Sequence, residues 1–416
     1  MPYRTKLFWV GVLYFVEGFP FGLIHNSLPV YFRIFGVSLK EIGLMSLVSL
    51  PWAIKFFWAP AVDAIGRKKQ WFMTCQIVIA LIIVSFPWLI QAKAVGSFFW
   101  ILLIVLAFFS ATQDIAIDAY TIRLLDEKEL GMANGVRVTT YRIALIMAGG
   151  VFIAAAGWLG WKTMFLAGGI LMLITALVSL RVPEPGASRP ENQSHRDSPA
   201  AKPDRGLRYY VVIPLQEFLA RPGFIQVFLF VLLFKLADMA IGPMIHPFWV
   251  DRGFTLFQIG AVPGTVGVVA TILGAILGGH LTGRWGIFRG LWVLGLFQAG
   301  ASLVYALAAA LPPHPLPMYI ASVTESFTGG MGTAPFLAFL MRICSKEHAA
   351  TQYALLSALF AMTRSVSGAF SGWSVEHLGY ATYFTFTFFL AFPAYAMLPW
   401  VKRWLSNQSE VISPKS

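Results

Sequence analysis

Two aspartates, Asp114 and Asp118, stand four residues apart in ATQDIAIDAY, directly after the apolar run SFFWILLIVLAFFS. Four residues is about one helical turn, so both carboxylates share one face of the helix this run forms. A carboxylate near a bilayer centre costs on the order of 3 kcal/mol by insertion scales, so each needs a cation, a polar cavity or a proton. Burial favours the neutral acid and a nearby cation favours the carboxylate. A group that passes between those settings can take up and release a proton. Counted from Arg123 at ~1.5 Å per residue, Asp118 lies about 7.5 Å and Asp114 about 13.5 Å inside that end of the helix. The deeper Asp114, with Gln113 beside it, is expected at a cavity wall or in a proton relay, against the plainer reading of a helix–helix hydrogen bond. The shallower Asp118 is expected to meet a cation at the membrane edge, such as Arg67.

Other charges lie within apolar runs. Glu17 sits beside Gly18 and Pro20, where a local break would let a carboxylate face a cavity. Lys235 and Asp238, three apart, are close enough to neutralise each other or to share a coupling role. Glu325 precedes Thr328-Gly329-Gly330-Met331-Gly332-Thr333, glycines that permit close helix packing or open the backbone to a ligand. Arg142 and Arg364 could bind an anionic substrate group, or pair with Asp114 or Glu17. Lys55 lies near the end of its run and is expected to snorkel or join a latch rather than touch substrate. His25, His246 and His280 are isolated and read as satisfied polar groups. Cys75 and Cys344 suggest neither a disulfide framework nor a metal site. No metal, cofactor or catalytic constellation is expected.

The elements that hold these residues follow from composition. Of the 416 residues, 57% are hydrophobic and only 12% charged, which specifies an all-α, multi-pass membrane protein. The basic start MPYRTK enters an apolar run too long for a cleaved signal, so it reads as a retained first span. Twelve stretches suffice to cross a bilayer: about 7–33, 42–62, 71–91, 97–122, 132–156, 162–182, 224–250, 256–281, 288–311, 316–341, 352–375 and 380–400. The proline-rich, mixed-charge segment after the sixth reads as a linker. The expected organisation is a six-helix bundle over 1–182, a cytoplasmic linker over 183–223, a second six-helix bundle over 224–401 and a tail over 402–416. Of the 31 Lys and Arg, 21 fall on the side of the termini, five on the other side and five within spans. That asymmetry puts both termini in the cytosol and makes the net charge of +12 a topology signal rather than a nucleic-acid patch.

The halves echo each other at an offset near 219: Arg123 and Arg342 end spans four and ten, and Gly160-Trp161 and Gly379-Tyr380 precede the last span of each half. Parallel six-helix repeats fit the major facilitator architecture, with substrate bound between halves near the midplane. Asp63, Gly66, Arg67 and Lys68, in APAVDAIGRKKQW, resemble the loop signature of that superfamily. The glycine permits a tight turn, and Arg67 can bridge acids on neighbouring helices as a gating latch. The second-half counterpart GGHLTGRWGIFR keeps Gly283 and Arg284 but has Thr282 where the acid would stand, so that latch reads as degenerate. PWAIKFFWAPAVDAIGRKKQW, ATQDIAIDAY, LYFVEGFPFGL, FKLADMA, ESFTGGMGTAPFLAFLM and ATQYALLSAL together resemble segments of the AmpG-type muropeptide permeases and acetyl-CoA transporters. Two departures stand out: those permeases usually carry two further C-terminal helices and a longer loop between spans two and three.

The resemblance implies a proton-driven carrier in the cell inner membrane, importing a bulky polar solute such as an anhydro-muropeptide. A siderophore importer or an acetyl-CoA-type transporter are the alternatives within the family. A membrane enzyme would need a compact nucleophile, base or metal cluster near one interface. No G-x-x-x-x-G-K-[ST] motif is present to couple nucleotide hydrolysis. The expected partners are the small-molecule substrate, protons and membrane lipid, with no nucleic acid, and monomer is the default for this fold.

Overall fold

Proline and glycine placement explains most of the helix boundaries in a computed structural model, described over residues 2–89, 96–126, 129–184, 223–344 and 349–412. Among these residues every regular element is helical. Nine helical runs are long and apolar enough to cross a membrane. The first five are α1 (Tyr3–Ile34), α3 (Lys68–Leu89), α4 (Ser97–Leu124), α5 (Gly131–Leu159) and α6 (Trp161–Ser179). In the second half come α7 (Phe224–Asp251), α8 (Leu256–Trp285), α9 (Ile287–Ala310) and the run Leu355–Arg403. That last run covers parts of two spans, α11 (349–378) and α12 (380–412, with a turn at 390–391), which meet at Gly379 with φ 74°. The remaining spans are α10 (Pro315–Ile343) and the interrupted α2 (39–64). The chain is thus a twelve-helix membrane protein in two six-helix bundles. Most of the segment read as the linker, 185–222, and the end of the tail, 413–416, lie outside the described residues.

The repeat is visible in the turns. Gly160 (φ 77°) and Gly379 (φ 74°) both adopt the left-handed region that a Cβ disfavours, so glycine is required where α5 meets α6 and α11 meets α12. Ser38 and Thr255 each build a capping box, with Glu41 and Gln258, at the start of α2 and α8. Span α2 is not one helix. Pro51 and Pro60 begin new turns, and Lys55–Phe57 winds as a 3-10 turn, because proline withholds the amide an uninterrupted helix needs. Irregular backbone at membrane depth survives only against protein or a wet cavity. Here it carries Lys55.

Small residues set how the halves meet. A Cβ on Gly264 of α8 would lie 2.5 Å from the Gly149 carbonyl oxygen of α5. A Cβ on Gly43 of α2 would lie 2.7 Å from the Gly372 amide of α11. Both are backbone-to-backbone approaches that no larger residue permits. They lie toward the membrane face opposite the termini. There Arg33, ending α1, grips Asp251, ending α7, through Nε to Oδ1 at 2.5 Å and Nη2 to Oδ2 at 2.9 Å. Tyr380 donates to the same Asp251 Oδ2 at 2.7 Å, and the Lys40 amide donates to Glu376 at 3.0 Å. The halves are therefore joined at that face.

Candidate functional site

One cluster of charge lies inside the first half. Glu17 of α1 and Gln113 and Asp114 of α4 are all buried. The broken α2 brings Lys55 Nζ to 3.6 Å from Asp114 Oδ2. Asp118, one turn along α4, takes a hydrogen bond from Tyr14 at 2.5 Å, and Arg137 Nη2 of α5 lies 3.3 Å from the same carboxylate oxygen. Glu17 lies within electrostatic reach of Asp114, Asp118, Lys55 and Arg137. Three carboxylates thus face two cations, and one proton brings the cluster to neutrality. Glu17 Oε2, Gln113 Oε1 and Asp114 Oδ1 are buried without hydrogen-bond partners. Gln113 spends its amide nitrogen on the Val16 carbonyl at 3.2 Å. Buried acceptors without donors are costly, and a proton on either acid supplies a donor.

This arrangement corrects two sequence expectations. Asp118 does not meet Arg67; Tyr14 and Arg137, nearer on the same side of the bundle, hold it instead. Arg67 Nη1 pairs with Glu184 Oε1 at 3.0 Å, on an arm that is 69% exposed. Lys55, expected to snorkel or latch, is the cation beside Asp114, which leaves Arg142 and Arg364 to other neighbours.

A second group lines a cavity of about 260 Å³ between the halves. His25 and Asn26 come from α1; Asp238 and His246 from α7; Glu325 from α10; Arg364 from α11. His25 sits in a π-helical turn, Leu23–Ser27. Its ring nitrogens contact the Phe21 carbonyl at 2.9 Å and Ser49 Oγ at 2.7 Å, and the ring stacks on Phe21 at 4.0 Å. Arg364 reaches across from the other half to lie over that same Phe21 ring at 5.8 Å. Lys235, 0% exposed, gives Nζ to Asp238 at 3.2 Å and to Thr333 at 2.7 Å. Glu325 accepts from Ser326 at 3.2 Å. Arg364 is within electrostatic reach of Arg142 and Asp238. Arginines from both bundles therefore converge near the seam, opposite two acids. Such a mixed wall suits a solute that carries both carboxylates and amines.

At the other membrane face, Gly66 makes the tight turn with φ 64°. Lys69 donates to the Leu180 and Val182 carbonyls at 2.7 and 2.8 Å, which ties the loop to the end of α6. The Asp63 side chain lies outside the described residues.

Sequence reasoning missed several members. His25 and His246 were read as isolated, yet they stand 221 residues apart, close to the repeat offset, and meet at one cavity. The repeat itself was the signal that pairs them. The sequence shows Arg137 only as one of five cations within spans, and Tyr14 carries no signal, because only the packing of α1 and α5 on α4 brings them to Asp118. Arg33 and Asp251 sit at span ends, and nothing in the sequence pairs them.

Comparisons with known proteins agree with this architecture. The family model described as Major Facilitator Superfamily matches residues 10–362. The anhydromuropeptide permease of Escherichia coli (strain K12) is 33% identical over 396 residues, covering 93% of this chain and 78% of that protein. A Rickettsia conorii protein named putative transporter AmpG 4 is 28% identical over 403 residues, covering 94% and 95%. Among solved structures, a bacterial homologue of the lysosomal transporter Spinster superposes with a TM-score of 0.78 at 18% identity, over 98% of both chains. The nucleoside transporter NupG does so with 0.71 at 16% identity, over 97% and 99%. The chain belongs to the major facilitator superfamily, as an AmpG-type permease.

Proposed function

We propose that this membrane transporter is a proton-driven importer of anhydro-muropeptides, working in the inner membrane with both termini in the cytosol. The observation that carries proton coupling is the three-to-two balance of carboxylates and cations around Asp114. When Lys55 pairs with Asp114 the acid is ionised; when the pair opens in this buried setting, the acid takes a proton instead. Substrate choice rests on the permease relative and on the mixed wall of the seam cavity. Arg142 and Arg364 would hold carboxylates of the peptide, Asp238 and Glu325 its amines, and the Phe21–His25 stack a sugar face.

With that orientation, the Arg33–Asp251 face is periplasmic, and this pair joins the two halves on that side of the cavity. Import then requires Arg33–Asp251 to open and the halves to rock about the seam. Uptake of a labelled anhydro-muropeptide by cells lacking their own permease tests the reading. Accumulation that an uncoupler abolishes is expected. Absence of uptake, with the protein present in the membrane, would overturn the substrate and turn the search to siderophores.

A further inference from the structure

The first half contains a second cavity, of about 250 Å³, lined by Tyr14, Asp118, Thr121, Asn134 and Arg137 among others. It shares none of its described lining residues with the seam cavity. Asp118 therefore lines a cavity separate from the one at the seam. One helical turn deeper on the same face of α4 is Asp114, whose side chain is 8% exposed, against 33% for Asp118. Beside both is Glu17, one turn along α1 from Tyr14. The two inner acids each keep a buried oxygen with no partner, Glu17 Oε2 and Asp114 Oδ1. Asp118 commits its Oδ1 to Tyr14 and Arg137, and its side chain, one-third exposed, lines the cavity.

We infer that Asp118 and its cavity form the port through which the coupling proton passes between Asp114 and water, by way of Glu17, apart from the route taken by the solute. The inference rests on the reading of Asp114 as the coupling residue. On release, the carboxylic acid of Asp114 gives its proton to the Glu17 carboxylate, Glu17 gives one to Asp118, and Asp118 gives one to cavity water as hydronium. Each relay acid returns to its starting charge, and Asp114 ends as the carboxylate paired with Lys55. The charged and titratable groups facing this path are Tyr14, Lys55, Cys75, Arg137 and Tyr141 together with the three acids. Arg137 and Tyr14 both contact Asp118 Oδ1, and together they fix its rotamer.

The alternative is that Tyr14, Asp118 and Arg137 only brace α1, α4 and α5. The two differ in a rate. The purified full-length protein is subjected to a pH jump while the infrared carbonyl band of protonated Asp114, assigned by its loss in Asp114→Asn, is followed in time. Asp118→Asn is expected to slow that band tenfold or more, whereas Asp118→Glu retains the rate. A brace would change stability and leave the rate as in the wild type, and an unchanged rate overturns the port. Should Asp118→Asn fail to fold, Ala133→Phe fills the cavity instead; the same slowing is expected, and an unslowed rate is again contrary. No substrate is needed, so a wrong solute assignment leaves this test intact. Gradient-driven accumulation by Asp114→Asn would separately sink the coupling role itself.

Discussion

Asp114 and Lys55 show how much one pair decides. The carboxylate is buried, its ammonium partner is one-third exposed, and 3.6 Å is a loose ion pair, suited to being broken in each cycle. Asp114→Asn should cut gradient-driven accumulation at least tenfold while solute exchange without a gradient persists; paired uptake and counterflow assays read the difference. Lys55→Met should cost about 1–3 kcal/mol in thermal unfolding, because it leaves a buried acid without its cation. Adding Asp114→Asn should return part of that loss, since the unmatched charge goes too. A double variant as unstable as the sum of the singles would show that the two residues do not interact. The two acids of ATQDIAIDAY were legible because carboxylates in an oily run have few explanations. Their partners were not, since Lys55 reaches Asp114 only through the break in α2, and Arg137 reaches Asp118 only through helix packing.

Helices and turns were legible in proportion to how local their causes are. The capping boxes at Ser38 and Thr255 and the glycine turns at 160 and 379 need only their own neighbours. The irregular winding of α2 was read as one span, although Pro51 and Pro60 mark where it breaks. Glycines divide by what they touch. A Cβ on Gly274 of α8 would overlap the Phe327 carbonyl of α10 in the same half, so Gly274→Ala should lower stability by roughly 1–3 kcal/mol in a melting experiment. A Cβ on Gly372 would overlap the Leu39 carbonyl of the other half. Gly372→Ala should therefore leave each bundle intact and part the halves. With Cys75 and Cys344 replaced, a cysteine at Ser46, beside Gly368, would then label several-fold faster from the side of the Arg33–Asp251 pair. Equal labelling would mean that this seam does not control access.

For the whole molecule, the fold followed from hydropathy and the internal repeat, while the conformation did not. Nothing in the order of residues says which face is closed; Arg33 and Asp251 meet only because the bundles lean together there. Arg33→Ala should favour the form open at the Arg33–Asp251 face, read as faster labelling from that side and slower net transport, and the exchange Arg33→Asp with Asp251→Arg should restore both in part. The central claim is that a proton gradient drives a solute through this chain, and reconstitution tests it most directly. Purified protein in liposomes, given labelled anhydro-muropeptide and an inward proton gradient, should concentrate the label above its outside level and lose that excess when a protonophore is added. Uptake that only equilibrates, with or without the gradient, would contradict the account.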